Sequence, residues 1–304
     1  MAGPEHRFDA QGLDAHGSDV QGFDANLTVS LTRYGESDEL VQQTLGSLAS
    51  QRGVRLLVLF LDQRPNASMA EHCRRLCNLN VRFDYRGIEA RSLSYARNLA
   101  IAESPTRVLL YIDSDAIAEP DWAVQLYQAI VQTGAAVAGC RIVPRWHRKP
   151  LWLTRARVVY EQYSMLDFGV QRSVASKVVG AGFGIDIQRL GDLACFDEKL
   201  GRRDGILLGG EETDLCDRAR ARGEQVVYEG AALLHHQVLP ERIRYVWIAR
   251  RLYYAGISRA LRGGRPSPSH RMSIWDYLCM PLVLLPYTLG YRRGLRMRRS
   301  APSA

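Results

Sequence analysis

No stretch of this 304-residue sequence reaches the ~20 consecutive apolar residues that a bilayer-spanning helix needs. The first 25 residues carry no apolar run, so no signal peptide is expected. Cysteine is sparse and scattered: Cys73, Cys77, Cys140, Cys195, Cys216 and Cys279 show no framework spacing, which excludes a disulfide scaffold and suits reduced thiols in the cytoplasm. Cys73 and Cys77 would share a helix face with His72, but without a second ligand pair they read as packing residues rather than a metal site. A glycine-rich phosphate loop is also missing after the first expected strand, where Thr32-Arg-Tyr-Gly-Glu36 stands, and that argues against nucleotidyl transfer. From Glu241 onward there is no lysine, and 13 arginines face only two acids, Glu241 and Asp276. This segment carries +11 of a total +8, leaving −3 for the first 240 residues. The basic character therefore belongs to the C-terminus and asks for an anionic partner: membrane lipid, nucleic acid or a phosphorylated acceptor.

What is present begins with a five-residue repeat, Phe8-Asp-Ala-Gln-Gly, Leu13-Asp-Ala-His-Gly, Ser18-Asp-Val-Gln-Gly and Phe23-Asp-Ala. Its small and polar residues bury too little surface to order themselves, so residues 1–26 are expected to form a disordered leader. Known calcium-binding repeats are longer and richer in glycine, which disfavours that reading.

Strands are expected at Leu27–Arg33, Val54–Leu61 and around Val81–Tyr85, with helices between them, and another helix from Ser92 to Ala102. The next stretch, Arg107-Val-Leu-Leu-Tyr-Ile-Asp113-Ser-Asp115, is the centre of the pattern. Its apolar run suits a strand buried on both faces of a parallel sheet, and it stops abruptly at two carboxylates. The β-α-β-α-β-α-β order with short links predicts an α/β fold with a doubly wound, mostly parallel sheet. Ligands of such sheets bind at the C-terminal ends of the strands, where Asp62, Asp113 and Asp115 all fall. Two aspartates on a short turn can share one hard cation and leave its other positions to phosphate oxygens. Taken alone, an Asp-x-Asp is more often a helix cap or an Asx turn.

Further along, a helix from Pro120 to about Gln132, a strand from Ala135 to Val143 and an amphipathic helix near Leu151–Leu166 are expected. Gly180, Gly182 and Gly184 sit in a strand where glycine marks close approach of a ligand or another backbone. The stretch has the wrong register for a dinucleotide fingerprint. Gly209-Gly210-Glu211-Glu212-Thr-Asp214 opens the next helix, where acids suit the helix dipole but exceed what capping needs. Two strands, near Gln225–Tyr228 and Ala231–Leu234, precede His235-His236.

In this order the motifs resemble the family-2 glycosyltransferases, which have the GT-A, Rossmann-like fold. The pieces are the first strand with Glu36, Asp62, Ser94-Tyr-Ala-Arg97-Asn98, Asp113-Ser-Asp115, Gly210-Glu-Glu-Thr-Asp-Leu and a histidine after the last strand. They span Leu27 to His236. The resemblance implies a GT-A catalytic domain at 27–238, followed by an Arg-rich helical extension at 239–304. It implies an inverting enzyme that moves one sugar from a nucleotide-sugar donor to an acceptor hydroxyl, with Mg²⁺ or Mn²⁺ as cofactor. The acceptor would be a glycolipid, a polysaccharide precursor or a natural product. By the same resemblance Asp62, Arg97, Asn98, Asp113 and Gly182 contact the nucleotide sugar, and Asp113, Asp115 and His236, or its neighbour His235, hold the metal. Glu211, Glu212 and Asp214 form the catalytic group. The family's usual base is an Asp, here replaced by Glu212, so the choice between Glu211 and Glu212 stays open. Gln-Arg after Asp62 also departs from the family pattern. Arg250-Arg-Leu-Tyr253 stands where processive synthases carry Gln-x-x-Arg-Trp, which favours a single transfer. A rival reading is a degenerate transferase fold kept as a scaffold that binds an anionic partner through its arginines; nucleic acid is not the partner expected.

The most apolar run is Tyr277 to Tyr291, about 15 residues broken by two prolines and followed at once by Arg292, Arg293, Arg296, Arg298 and Arg299. It suits an interfacial helix at the inner face of the membrane, peripheral rather than spanning, and equally a helix packed on the catalytic domain with a solvated basic end.

Overall fold

The structure, a computed structural model, describes Asp24 and residues 26–203, 205–264 and 272–300. The five-residue repeats lie outside the described residues, apart from Asp24.

The first half alternates as expected. β1 (Leu27–Arg33), α1 (Asp38–Ala49), β2 (Leu56–Asp62), α2 (Ala67–Leu76), β3 (Val81–Gly87), α3 (Leu93–Glu103) and β4 (Val108–Asp113) follow one another with short links. Every residue of β2 is buried, as its unbroken apolar run requires of an inner parallel strand. The helices start at polar caps. Asn66 accepts from Met69 N at 2.8 Å, and Ser92 accepts from Tyr95 N at 3.1 Å. Next come β5 (Ala116–Ala118), α4 (Trp122–Thr133), β6 (Val137–Trp146), α5 (Arg157–Tyr160), β7 (Ser173–Val174), β8 (Gly182–Asp186) and α6 (Ile187–Leu190). The chain continues with α7 (Glu211–Ala221), β9 (Val226–Val238), α8 (Tyr245–Leu261) and α9 (Ile274–Ser300).

Among the described residues, nine strands form one sheet in the order β3-β2-β1-β4-β8-β6-β9-β5, with β7 on β9. β3, β2, β1 and β4 run parallel, and β8 turns the sheet by pairing antiparallel with both β4 and β6. Apolar clusters cover both faces. One gathers α1, α2 and α4, and the other gathers α3 and α7, so the sheet is buried on both sides.

Two expected elements differ. The segment 151–166 is not one helix but a 3-10 turn at Trp152–Arg155, then α5, then another 3-10 turn at Glu161–Tyr163. Ala156 is extended, and Tyr163 is buried between the rings of Trp146 and Trp247, each 5.3 Å away, so tertiary packing overrides the helical periodicity. The two strands expected before His235 are one, β9, which bulges at residues 230–232: Cys140 of β6 pairs with Glu229 and Arg141 with Leu233. A Cβ on Gly230 would lie 2.1 Å from the Gly169 carbonyl oxygen, so this glycine admits a crossing backbone rather than a turn. Finally, α9 continues through Pro281 and Pro286. It packs along α8 with unusually close backbones: a Cβ on Gly290 would lie 1.9 Å from Tyr253 O.

Candidate active site

The site is built where β4 stops. Asp113 is the last residue of β4, and Ser114 and Asp115 make the turn into β5. Thr44 Oγ1 donates to Ser114 O at 2.9 Å, and Gln237 N donates to Asp115 O at 2.9 Å, which pins the turn from both sides. β5 pairs antiparallel with β9 so that Ala116 faces His236, and this register delivers the histidine to Asp115 from 120 residues away. His236 Nε2 lies 3.2 Å from Asp115 Oδ1, while Arg242 Nη1 lies 2.7 Å from Asp115 Oδ2. One ligand atom from each of Asp113, Asp115 and His236 falls within 4.8 Å of the others.

This donor set suits a hard divalent cation. His236 is 2 % exposed; its Nε2 meets Asp115, while its Nδ1 has no hydrogen-bond partner. A buried ring nitrogen without a partner is costly unless something binds there. Two carboxylates and one imidazole match Mg²⁺ or Mn²⁺ better than a soft metal. Burial and the neighbouring Asp115 charge push the Asp113 carboxyl up. Burial works against ionisation of Asp115 too, but His236 and Arg242 outweigh it and hold this carboxyl below its ordinary range.

Behind the aspartates, Arg97 organises the second half of the site. Its guanidinium donates to Glu211 Oε1 at 2.7 Å and to Gly180 O at 2.8 Å, and its Nη2 lies 3.7 Å from Asp113 Oδ1. The Tyr111, Phe183 and Phe196 rings surround it, with Phe183 at 5.2 Å. A Cβ at Gly180 would come within 3.1 Å of Arg97 Nη2, which accounts for that glycine. Gly210 opens α7 at φ +92°, a conformation glycine adopts without strain, and it turns Glu211 and Glu212 into the site. Glu211 is buried in its pair with Arg97, whereas Glu212 has no ion pair among the described residues. Burial and the adjacent Glu211 charge push the Glu212 carboxyl up to about 7.

Glu212, Asp113, Arg97 and Gly180 line a pocket of about 210 Å³, which Arg202, Arg251 and Lys177 also enter. A smaller neighbouring pocket, about 80 Å³, is walled by Thr32, Tyr34, Glu36, Gln63, Asp113 and Asp115. Arg202 lines both. Burial, assisted by the Arg202 charge, lowers the Arg251 guanidinium to about 10.

The structure thus brings together Asp113, Asp115, His236, Arg97, Glu211 and Glu212. It places five other sequence-selected residues differently. Asp62 is fully buried and internally satisfied, accepting from Tyr85 Oη at 2.9 Å and Arg64 N at 2.8 Å, with Arg33 at 3.4 Å. Its neighbour Gln63 reaches the small pocket instead. The Asn98 amide is used up on the Phe196 backbone, accepting from N at 2.7 Å and donating to O at 2.9 Å. Gly182 lies inside the sheet, where a Cβ would sit 2.0 Å from Leu234 Cδ1. Asp214 is held by Arg218 at 2.8 Å, while Thr213 rather than Asp214 lines the pocket. His235 pairs with Glu119 at 2.8 Å, so of the two histidines it is His236 that joins the cluster. Reading the sequence alone did not select Arg202 or Arg242 for the site. Arg202 lies in a polar loop with no periodic signal, and Arg242 follows β9 among many arginines.

The profile of glycosyl transferase family 2 matches residues 28–187, over half of the chain, and the chain belongs to that family. It is 26% identical over 174 residues to the glucosyl-dolichyl phosphate glucuronosyltransferase of Haloferax volcanii, covering 56% of each chain. It is 28% identical over 254 residues to the pre-mycofactocin glycosyltransferase of Mycobacterium tuberculosis, covering 81% of this chain and 50% of that one. The chain therefore spans about half the length of these relatives. The mannosyltransferase of Pyrobaculum calidifontis, solved with GDP-Man and Mn²⁺, shares the fold at a TM-score of 0.59 and 16% identity, over 93% of this chain and 77% of that one.

Proposed function

We propose that this protein is an inverting glycosyltransferase that moves a single sugar from a nucleotide-sugar donor to an acceptor hydroxyl, with Mn²⁺ or Mg²⁺ held by Asp113, Asp115 and His236. The observation that carries the reading is the pocket that Asp113, one corner of the Asp113, Asp115 and His236 cluster, shares with a carboxylate poised near neutrality, Glu212. The GT-A neighbour solved with GDP-Man and Mn²⁺ supports both the donor class and the metal.

The bound cation would supply positive charge to the diphosphate as it leaves. The chain's own residues supply the rest. Glu212 accepts the proton of the acceptor hydroxyl, and a carboxyl near 7 is matched to that task at neutral pH, where such a base gives ~10²- to 10⁴-fold. Arg97 fixes Glu211 and the backbone at Gly180, which keeps the base beside Asp113. Arg202, standing between the two pockets, directs its charge toward the donor's phosphate oxygens. Attack from the side opposite the diphosphate inverts the anomeric centre.

The test is a thermal-shift panel of UDP-, GDP- and dTDP-sugars with and without Mn²⁺, followed by product analysis of sugar-nucleotide turnover. A metal-dependent shift with one nucleotide class is expected, and ligand at ~100 times its Kd stabilises by about 2.7 kcal/mol. A flat panel on folded protein would sink the reading.

A further inference from the structure

α9 is an amphipathic helix turned inside out. Its buried side is made of Asp276, Cys279, Val283, Gly290 and Gly294: Asp276 accepts from Val158 N, Cys279 meets Leu153, and the two glycines meet α8. The larger apolar residues face outward: Ile274, Leu278, Leu285 and Leu289 follow one line along the helix, and each is at least half exposed. The same line continues, at spacings of three and four, into Arg292, Arg296 and Arg299, all exposed. None of these three has an ion pair among the described residues, and no acid follows Asp276 in α9. In water, leucines belong on the packed side and arginines on the wet one. Glycine at the helix contact with leucine outside is the arrangement expected where the outer solvent is itself apolar. The 3-10 turn at Trp152–Arg155 packs against α9 and leaves Trp152 54% exposed. Exposed indoles are typical of the boundary between acyl chains and headgroups.

We infer that the outward face of α9 is a docking surface for an anionic lipid bilayer, with Leu278, Leu285 and Leu289 entering the acyl boundary and Arg292, Arg296 and Arg299 resting on the headgroups. The helix lies along the surface. No helix among the described residues is long and apolar enough to cross a membrane, and α9 in particular ends in arginines. The charge fits one partner best. A bare apolar face would also accept a second copy of the chain, but two arginine stripes would then approach each other without compensating acids. This inference stands on α9 alone and does not depend on the reaction proposed above.

The experiment is flotation of the full chain with vesicles of phosphatidylcholine alone or mixed with phosphatidylglycerol, at low and high salt. The full chain should rise with the mixed vesicles at low salt. Leu278→Ser, Leu285→Ser and Leu289→Ser combined should lower the bound fraction at least ~tenfold, as should Arg292→Gln, Arg296→Gln and Arg299→Gln combined. Melting temperatures equal to that of the unaltered chain would show that these exposed positions leave folding intact. The inference fails if the full chain stays with the unbound protein, or if both triple variants float as the unaltered chain does. It also fails if sedimentation shows a dimer that the leucine variant dissociates, since a second copy would then own the face.

Discussion

Arg97 and Glu211 form a buried ion pair at 2.7 Å, and this pair separates two carboxylates that are adjacent in sequence. Glu211 is committed to the guanidinium, whereas Glu212 stays on the pocket wall with its proton affinity raised. Glu212→Gln should therefore cut turnover by ~10²- to 10⁴-fold while leaving the denaturation midpoint near that of the unaltered chain. Glu211→Ala should instead cost about 3–5 kcal/mol of stability, because Arg97 is left buried without its partner. Chemical denaturation beside kinetics on both variants checks the assignment; reversed outcomes would move the base to Glu211.

The same displacement of Glu212 fixes the direction of the pH response. Turnover should rise with pH through about 7, as the base loses its proton. Stability should move the other way. The folded carboxyl holds its proton up to about 7, above the ordinary 4.5 of the unfolded chain, so between those values the folded state binds more protons. That contribution is present below about 4.5 and is lost as pH climbs to 7. Paired pH profiles of rate and of melting temperature, with Glu212→Gln as the control lacking the group, decide the point.

Asp115 accepts charge from His236 and Arg242 at once, so it should be the residue on which cation binding depends most sharply. Asp115→Asn should abolish any Mn²⁺-dependent thermal shift of the unliganded protein. A Mn²⁺ shift that survives in this variant would place the cation elsewhere.

Asn98 gives a contrasting prediction. Both ends of its amide close on Phe196, which also packs on Tyr111 near Arg97. Asn98→Ala should lose about 1–3 kcal/mol, the cost of leaving buried backbone groups unpaired, with little change in KM for the donor. A large KM increase at unaltered stability would return Asn98 to donor binding.

The alternation of strands and helices up to β4 was legible because each apolar run is long enough to be a buried strand and stops at a polar residue. Asp62, Asp113 and Asp115 stand where such runs stop, at the C-terminal edge of the sheet, and the glutamate pair marked a helix start. Local pattern failed where packing was the deciding influence. The periodicity of 151–166 suggested one helix, but burying Tyr163 between two tryptophans broke it into turns. Two strands were expected near Gln225–Tyr228 and Ala231–Leu234, but they are one bulged strand whose Gly230 admits the Gly169 backbone.

By itself, then, the sequence determined the sheet's parallel half, its acidic edge and the basic C-terminus, since each follows from burial, periodicity or charge within a few neighbouring residues. Only the tertiary structure decided which histidine joins Asp115, which glutamate is neutralised by Arg97, that Asn98 and Asp62 are spent on internal contacts, and that the leucines of α9 face outward. Those outcomes depend on the register of β5 against β9, on glycine-sized gaps between α8 and α9, and on buried partners more than 100 residues away. Such pairings are set by the total packing of the chain, and no local stretch of sequence contains them.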